Sequence, residues 1–355
     1  MSNLSDLLGG TISNLNDLGG ATFSSSDPAT DTNPSATGEL WVNTTSGETY
    51  ICTDNTSGAN IWTNVGDGAD SVKPPVWYGG RGVWGGGGYP AVDTIEYITI
   101  ATTGDATDFG NLSEVRYLLG SCSNGYRGIF AGHTSEGGID YITIATKGDT
   151  TDFGNLSSSR NTYSGCSSGT RGVFGGGSGS TNVIDYITID TTGNALDFGD
   201  LTVGRQEISA CSNTTRGVFA GGESGSAVNV IDYITIDTTG DATDFGDLTT
   251  NRRQIGACSS ETRGVLGGGY TSSYVNIMEY ITIASTGTST DFGDLTSARN
   301  SASACSDVSR GVWGGGSASS YRNILDYITI ASTGNATDFG DLTSVRTWTA
   351  SCSGD

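Results

Sequence analysis

From Arg81 onward the chain repeats one unit of 44–47 residues six times, each copy carrying four short signals in the same order. An Arg-Gly followed by an apolar pair and small residues recurs at Arg81, Arg127, Arg171, Arg216, Arg263 and Arg310. An acid-Tyr-Ile-Thr-Ile run follows, with Tyr97, Tyr141, Tyr186, Tyr233, Tyr280 and Tyr327. Asp-Phe-Gly-(Asp/Asn)-Leu comes next, with Phe109, Phe153, Phe198, Phe245, Phe292 and Phe339. The last signal is an Arg and a small-residue stretch ending Cys-Ser, at Cys122, Cys166, Cys211, Cys258, Cys305 and Cys352. A unit this short cannot bury its own apolar face and must stack on its neighbours.

Glycine supplies 56 of the 355 residues and proline five, a balance that favours tight turns between strands over a disordered tail. The Tyr-Ile-Thr-Ile runs suit a pleated, half-buried surface, and no amphipathic helical run interrupts the repeats. The chain therefore reads as all-β. Each unit divides into four strands of ~5–6 residues, the make-up of a propeller blade. The first unit lacks an Arg…Ala-Cys-Ser strand before Arg81, where Pro74 to Gly80 stands, and the chain adds one after Leu342. The expectation is a six-bladed β-propeller over residues 76–355, closed by the C-terminal strand at residues 346–353.

The net charge is -22, and twelve of the 16 basic residues sit at two fixed repeat positions. No basic stripe is left to displace counterions from phosphates, which argues against nucleic acid as a partner. No stretch is apolar enough to insert into a membrane, and the N-terminus lacks a basic-then-apolar signal, so assembly in a cytoplasm is expected.

Residues 1–75 have a different texture. Asn3-Leu4-Ser5-Asp6-Leu7 returns as Asn14-Leu15-Asn16-Asp17-Leu18, and residues 21–37 read as linker. Residues 1–37 are thus expected to be an extended docking segment, with Leu4, Leu7, Leu15 and Leu18 as its contact residues. Three alternating segments around Trp41, Tyr50 and Trp62 make residues 38–75 a small β-meander, too small to stand alone, so a homo-oligomer such as a trimer is expected.

Three resemblances follow from these motifs. The double glycine closing the second strand, the tyrosine in the third and the aromatic-x-x-Leu before an arginine resemble the kelch family, with Phe in place of the usual tryptophan. The Gly38-Glu39-Leu40-Trp41-Val42-Asn43-Thr44 meander resembles a module of bacteriophage tail-fibre and other virion proteins. The repeat itself is similar to kelch-like repeats of marine and cyanobacterial phages. Together they imply a virion protein, assembled in the host cytoplasm, docked to other virion proteins through its N-terminal segment. The implied role is a tail-fibre or receptor-binding component displaying a propeller to a host-surface glycan or protein. A capsid or tail decoration protein is the alternative, and a propeller hydrolase of host polysaccharide comes third.

Catalytic chemistry has little to stand on. The one histidine, His133, sits in a loop, short of the two ligands a propeller copper oxidase needs and without a nucleophile beside it. The expectation is no enzyme, no cofactor and no metal. The six repeat cysteines read as small apolar side chains at tight contacts. The repeat arginines are expected to pair with the Asp-Phe-Gly aspartates Asp108, Asp152, Asp197, Asp244, Asp291 and Asp338. The Thr-Gly-(Asp/Asn)-Ala-Thr loops offer too few convergent oxygens for calcium. Variation is confined to the loop after the second strand and the residues after the repeat arginine. These place Tyr89, Tyr117, Tyr163, Tyr270, Tyr274, Tyr321, Arg322 and Trp348 on one face as candidate binding residues, rings with polar tips suited to sugars or protein surfaces.

Overall fold

The computed structural model describes residues 21–43, 49–64, 79–132, 137–161 and 164–355. The chain divides into two compact units, Met1–Pro74 and Pro75–Asp355. In the first, β1 (Ala21–Ser24), β2 (Leu40–Asn43), β3 (Thr49–Asp54) and β4 (Ile61–Asn64) form one sheet in sequence order. β1 lies inside the stretch read as linker, and it pairs parallel to β2, Ala21 opposite Leu40. Tyr50, Cys52 and Trp62 form the small core, with Trp41 edge-on to Trp62 at 6.0 Å.

The second unit holds six sheets. β5 (Arg81–Gly85), β6 (Thr94–Thr99) and β7 (Thr107–Asn111) are joined by the last strand, β28 (Ala350–Gly354), in the order β28-β5-β6-β7. Cys352 stands opposite Val83 and Ser351 opposite Trp84. The next sheets are β8 (Gly120–Ser123) with β9 (Arg127–Ala131), β10 (Gly138–Thr143) and β11 (Thr151–Asn155), then β12 (Ser164–Ser167) with β13 (Arg171–Gly175), β14 (Val183–Thr188) and β15 (Leu196–Asp200). β16 (Ser209–Ser212), β17 (Arg216–Ala220), β18 (Val230–Thr235) and β19 (Thr243–Asp247) form the fourth. β20 (Gly256–Ser259) to β23 (Thr290–Asp294) follow, with β21 (Arg263–Gly267) and β22 (Ile277–Thr282) between them. β24 (Ser303–Ser306), β25 (Arg310–Gly314), β26 (Ile324–Thr329) and β27 (Thr337–Asp341) form the sixth.

The expectation of a six-bladed kelch-like β-propeller is therefore corrected. Among the described residues the chain forms seven separate four-stranded sheets, one in the first unit and six in the second. No sheet curls into a barrel, and no strand ladder runs from one sheet into the next. The physical reason is that each unit saturates its backbone within four strands, and its fourth strand carries an exposed aspartate that discourages further pairing. The host-recognition role given to a displayed propeller, in a tail fibre or a hydrolase, is withdrawn with that fold.

What joins the six repeat sheets is side-chain and loop chemistry. Apolar clusters lie between successive sheets: Phe198, Leu201 and Val173 of one meet Phe219, Ile234 and Ile236 of the next. The same kind of cluster joins Phe339 and Leu342 of the last sheet to Trp84 and Ile98 of the first. Each repeat thiol fills the room left by the Arg-Gly glycine of an adjacent sheet. A Cβ on Gly217 would sit 2.6 Å from Cys166 Sγ, and one on Gly82 would sit 2.5 Å from Cys305 Sγ. Serine hydroxyls add a circuit of hydrogen bonds to main-chain carbonyls, from Ser123 to Ser353, Ser306, Ser259, Ser212, Ser167 and back to Ser123, at 2.6–2.8 Å.

The two arginine positions have separate jobs. The Arg-Gly arginines lie over the tyrosine of their own sheet at 4.2–4.7 Å. Each also donates to an isoleucine carbonyl of a neighbouring sheet, as Arg216 does to Ile283 at 2.9 Å and Arg310 to Ile100 at 2.9 Å. The second set is buried and paired, but not with the Asp-Phe-Gly aspartates, which are exposed. Its partners are the acids before the tyrosines: Arg116–Asp140, Arg160–Asp185, Arg205–Asp232, Arg252–Glu279, Arg299–Asp326 and Arg346–Glu96. The register explains the correction. The acid before the tyrosine points into the sheet-to-sheet contact, whereas the Asp of Asp-Phe-Gly alternates away from its buried phenylalanine.

Candidate functional site

The end of the repeat unit where the first strand of each sheet begins carries a cavity of about 140 Å³. Its wall includes Glu207, Gln254, Ser301, Ser303 and Trp348, with apolar Leu118, Ile208 and Ile255 between them. The rim is built by one repeated backbone device. Two residues after each buried arginine the chain turns left-handed on a residue that is not glycine: Leu118, Glu207, Gln254, Ser301 and Trp348 have φ of 58, 55, 57, 53 and 54°. Such a conformation costs on the order of 1–3 kcal/mol per residue and persists only where the surroundings enforce it. The enforcement is visible. Leu118 N–H donates to Trp348 O at 3.1 Å, Trp348 to Ser301 at 3.2 Å, Ser301 to Gln254 at 2.9 Å and Gln254 to Glu207 at 3.0 Å. The sixth copy, Thr162, lies outside the described residues.

The rim has two unlike arcs. In one, Tyr89 stacks on Tyr321 with centroids 5.2 Å apart and planes 6° from parallel. Trp348 lies 5.2 Å from Tyr89 and 6.0 Å from Tyr117. Tyr89 and Tyr321 remain 51% and 38% exposed, so the aromatic cluster presents ring surface to solvent. In the other arc, Arg253 bonds Glu207 at 3.0 Å and also Glu223, and lies over the Tyr270 ring at 5.3 Å. Tyr270 meets Tyr274 edge-on at 5.4 Å. Asn300 Nδ2 donates to Gln254 Oε1 at 2.5 Å, extending the polar chain along the rim. Burial pushes the Glu207 carboxyl above the usual carboxylate range, against the opposing pull of Arg253.

The structure thus gathers Tyr89, Tyr117, Tyr321 and Trp348 into one cluster, and holds Tyr270 and Tyr274 together beside Arg253. Tyr163, His133 and the docking residues Leu4, Leu7, Leu15 and Leu18 lie outside the described residues. Sequence reasoning passed over Leu118, Glu207, Gln254 and Ser301. Their signal was one position in the repeat that reads Leu, Thr, Glu, Gln, Ser and Trp in the six copies.

Other candidate chemistry falls away. Burial raises the repeat thiols, Cys211 and Cys352 to about 12, so they stay protonated at neutral pH. The acidic loop residues are spent on sheet-to-sheet clasps: Asp241 accepts the Asp200 N–H and Asp105 the Asp341 N–H, both at 3.0 Å. Among the described residues no three His, Cys, Asp or Glu side chains converge as a metal site. No family profile and no curated protein matches this sequence.

Proposed function

We propose that this protein is a non-catalytic binding protein whose ligand site is the rimmed cavity at the strand-start end of the repeat unit. The observation that supports it is the contrast between a scaffold repeated six times and a rim position that differs in every copy. Tyrosine and tryptophan faces suit the C–H face of a sugar ring, and Ser301, Gln254 and Glu207 supply hydrogen-bonding groups at its edge. Glu207 and Glu223 are both tied to Arg253, an arrangement that favours recognition over proton shuttling. The protein is carried on a phage particle through its N-terminal segment, on the strength of the front-module resemblance.

A glycan array probed with the full chain tests the site. Saturable binding that falls at least about tenfold in Trp348→Ala, with unchanged melting, is the expected result. Undiminished binding in that variant would move the site elsewhere, and release of reducing ends from an envelope polysaccharide would replace binding with hydrolysis. Mass spectrometry of washed particles tests the location, which absence of the chain would exclude.

A further inference from the structure

We infer that the ligand of this site is an acidic sugar of the uronic-acid type, and that Arg322 receives its carboxylate. The inference rests on the binding reading above and adds the ligand's charge.

It begins from an accounting of cations. The six Arg-Gly arginines are engaged with tyrosine rings and carbonyls. The six buried arginines are paired with acids, Arg253 is shared by two glutamates, and Lys147 lies over Tyr97. Arg322 is the cation left over among the described residues: its side chain has no carboxylate, carbonyl or ring partner there, and its Nε is buried without a hydrogen bond. In a chain of net charge -22, acids to neutralise it are plentiful, yet no described acid forms an ion pair with it.

Arg322 follows Tyr321, so it adjoins the stacked Tyr89–Tyr321 pair. It also acts on Arg299, whose pKa it helps to depress after burial itself, which sets its charge near the loop of Asn300 and Ser301. A second observation marks the loops around the last repeat sheet: residues 297–301 before β24, Arg322 between β25 and β26, and residues 347–348 before β28. Apart from the Nε atoms of the six paired arginines, every buried side-chain polar atom lacking a partner among the described residues of this unit lies there. These atoms belong to Ser297, Asn300, Ser301, Arg322, Thr347 and Trp348. Ser301 is 8% exposed and lines the cavity, and Trp348 lines it too. Buried polar groups are normally satisfied, and a cluster of unsatisfied ones calls for a polar guest. The set matches one ligand: a ring for the aromatic faces, hydroxyls for Ser301 and the indole N–H, and a planar anion for a guanidinium.

The experiment is calorimetric titration of the full chain with methyl glucoside and methyl glucuronide, which differ only in CH₂OH against carboxylate. It is run at ~0.15 M ionic strength, where long-range repulsion from the acidic surface is screened beyond about 8 Å. The glucuronide is expected to bind about tenfold tighter or more, as a charge-assisted hydrogen bond warrants. Arg322→Gln should abolish that preference while leaving glucoside affinity in place, and Arg322→Lys should retain part of it. Equal affinities, or a preference that survives Arg322→Gln, overturn the acidic assignment while leaving the cavity as a ring site. Silence with both sugars alongside a positive glycan array also overturns it. Silence in all of these removes the ring-binding reading as well.

Discussion

Arg205 and Asp232 are fully buried and 2.8 Å apart, and the guanidinium also donates to the Gly221 carbonyl at 2.9 Å and the Phe219 carbonyl at 3.2 Å. Thr202 Oγ1 donates to the same carboxylate at 2.5 Å. Burial pulls the Arg205 pKa down and Asp232 pulls it back, so the charge depends on its partner. Removing Asp232 strands that charge, and Asp232→Ala is expected to cost about 3–5 kcal/mol in chemical denaturation. Asp197, on an exposed edge, makes no such contact, and Asp197→Ala should shift stability by less than about 0.5 kcal/mol. A large loss at Asp197 and none at Asp232 would reverse the assignment. The two aspartates are alike in the sequence, each recurring once per repeat beside an aromatic. Register across the sheet separates them, and register is set by pairing.

At the scale of an element, the loop between the third and fourth strands acts as a clasp on the preceding sheet. Asp105, Asp149, Asn194, Asp241 and Asn335 each accept a main-chain N–H there, at 2.9–3.0 Å. The equivalent residue of the loop before β23 is Thr288, whose side chain makes no such bond to Asp247 N–H. Thr288→Asn should supply it and raise stability by about 0.5–1.5 kcal/mol. An unchanged or lowered melting temperature would show that this loop cannot adopt the clasp. The four strands of each unit were legible because alternation, glycine and length mark them locally. β1 was not: Ala21–Ser24 sits in a Ser/Asp-rich stretch, and it becomes a strand only because β2 offers it a parallel edge.

Across the whole repeat unit, stability is distributed over links that run from sheet to sheet and back to the first. Residues 346–355 carry several of them: β28 covers β5, Arg346 pairs with Glu96, and Ser353 both donates to Ser306 and accepts from Ser123. Deleting residues 346–355 should leave β5 as an open edge and bury Glu96 without its cation, giving aggregation on size exclusion. A soluble, monodisperse product with native melting would show that these links are dispensable. The sequence by itself determined the period, the all-β class and the face on which variation is allowed, because those depend on which residue types recur at which spacing. Tertiary structure decided which acid meets which arginine, that five unlike residues turn left-handed around one cavity, and that the Arg322 side chain has no partner among the described residues. Those outcomes depend on residues from 24 to 250 positions apart sharing one contact, and spacing along the chain carries no record of which side chain a neighbouring sheet will present.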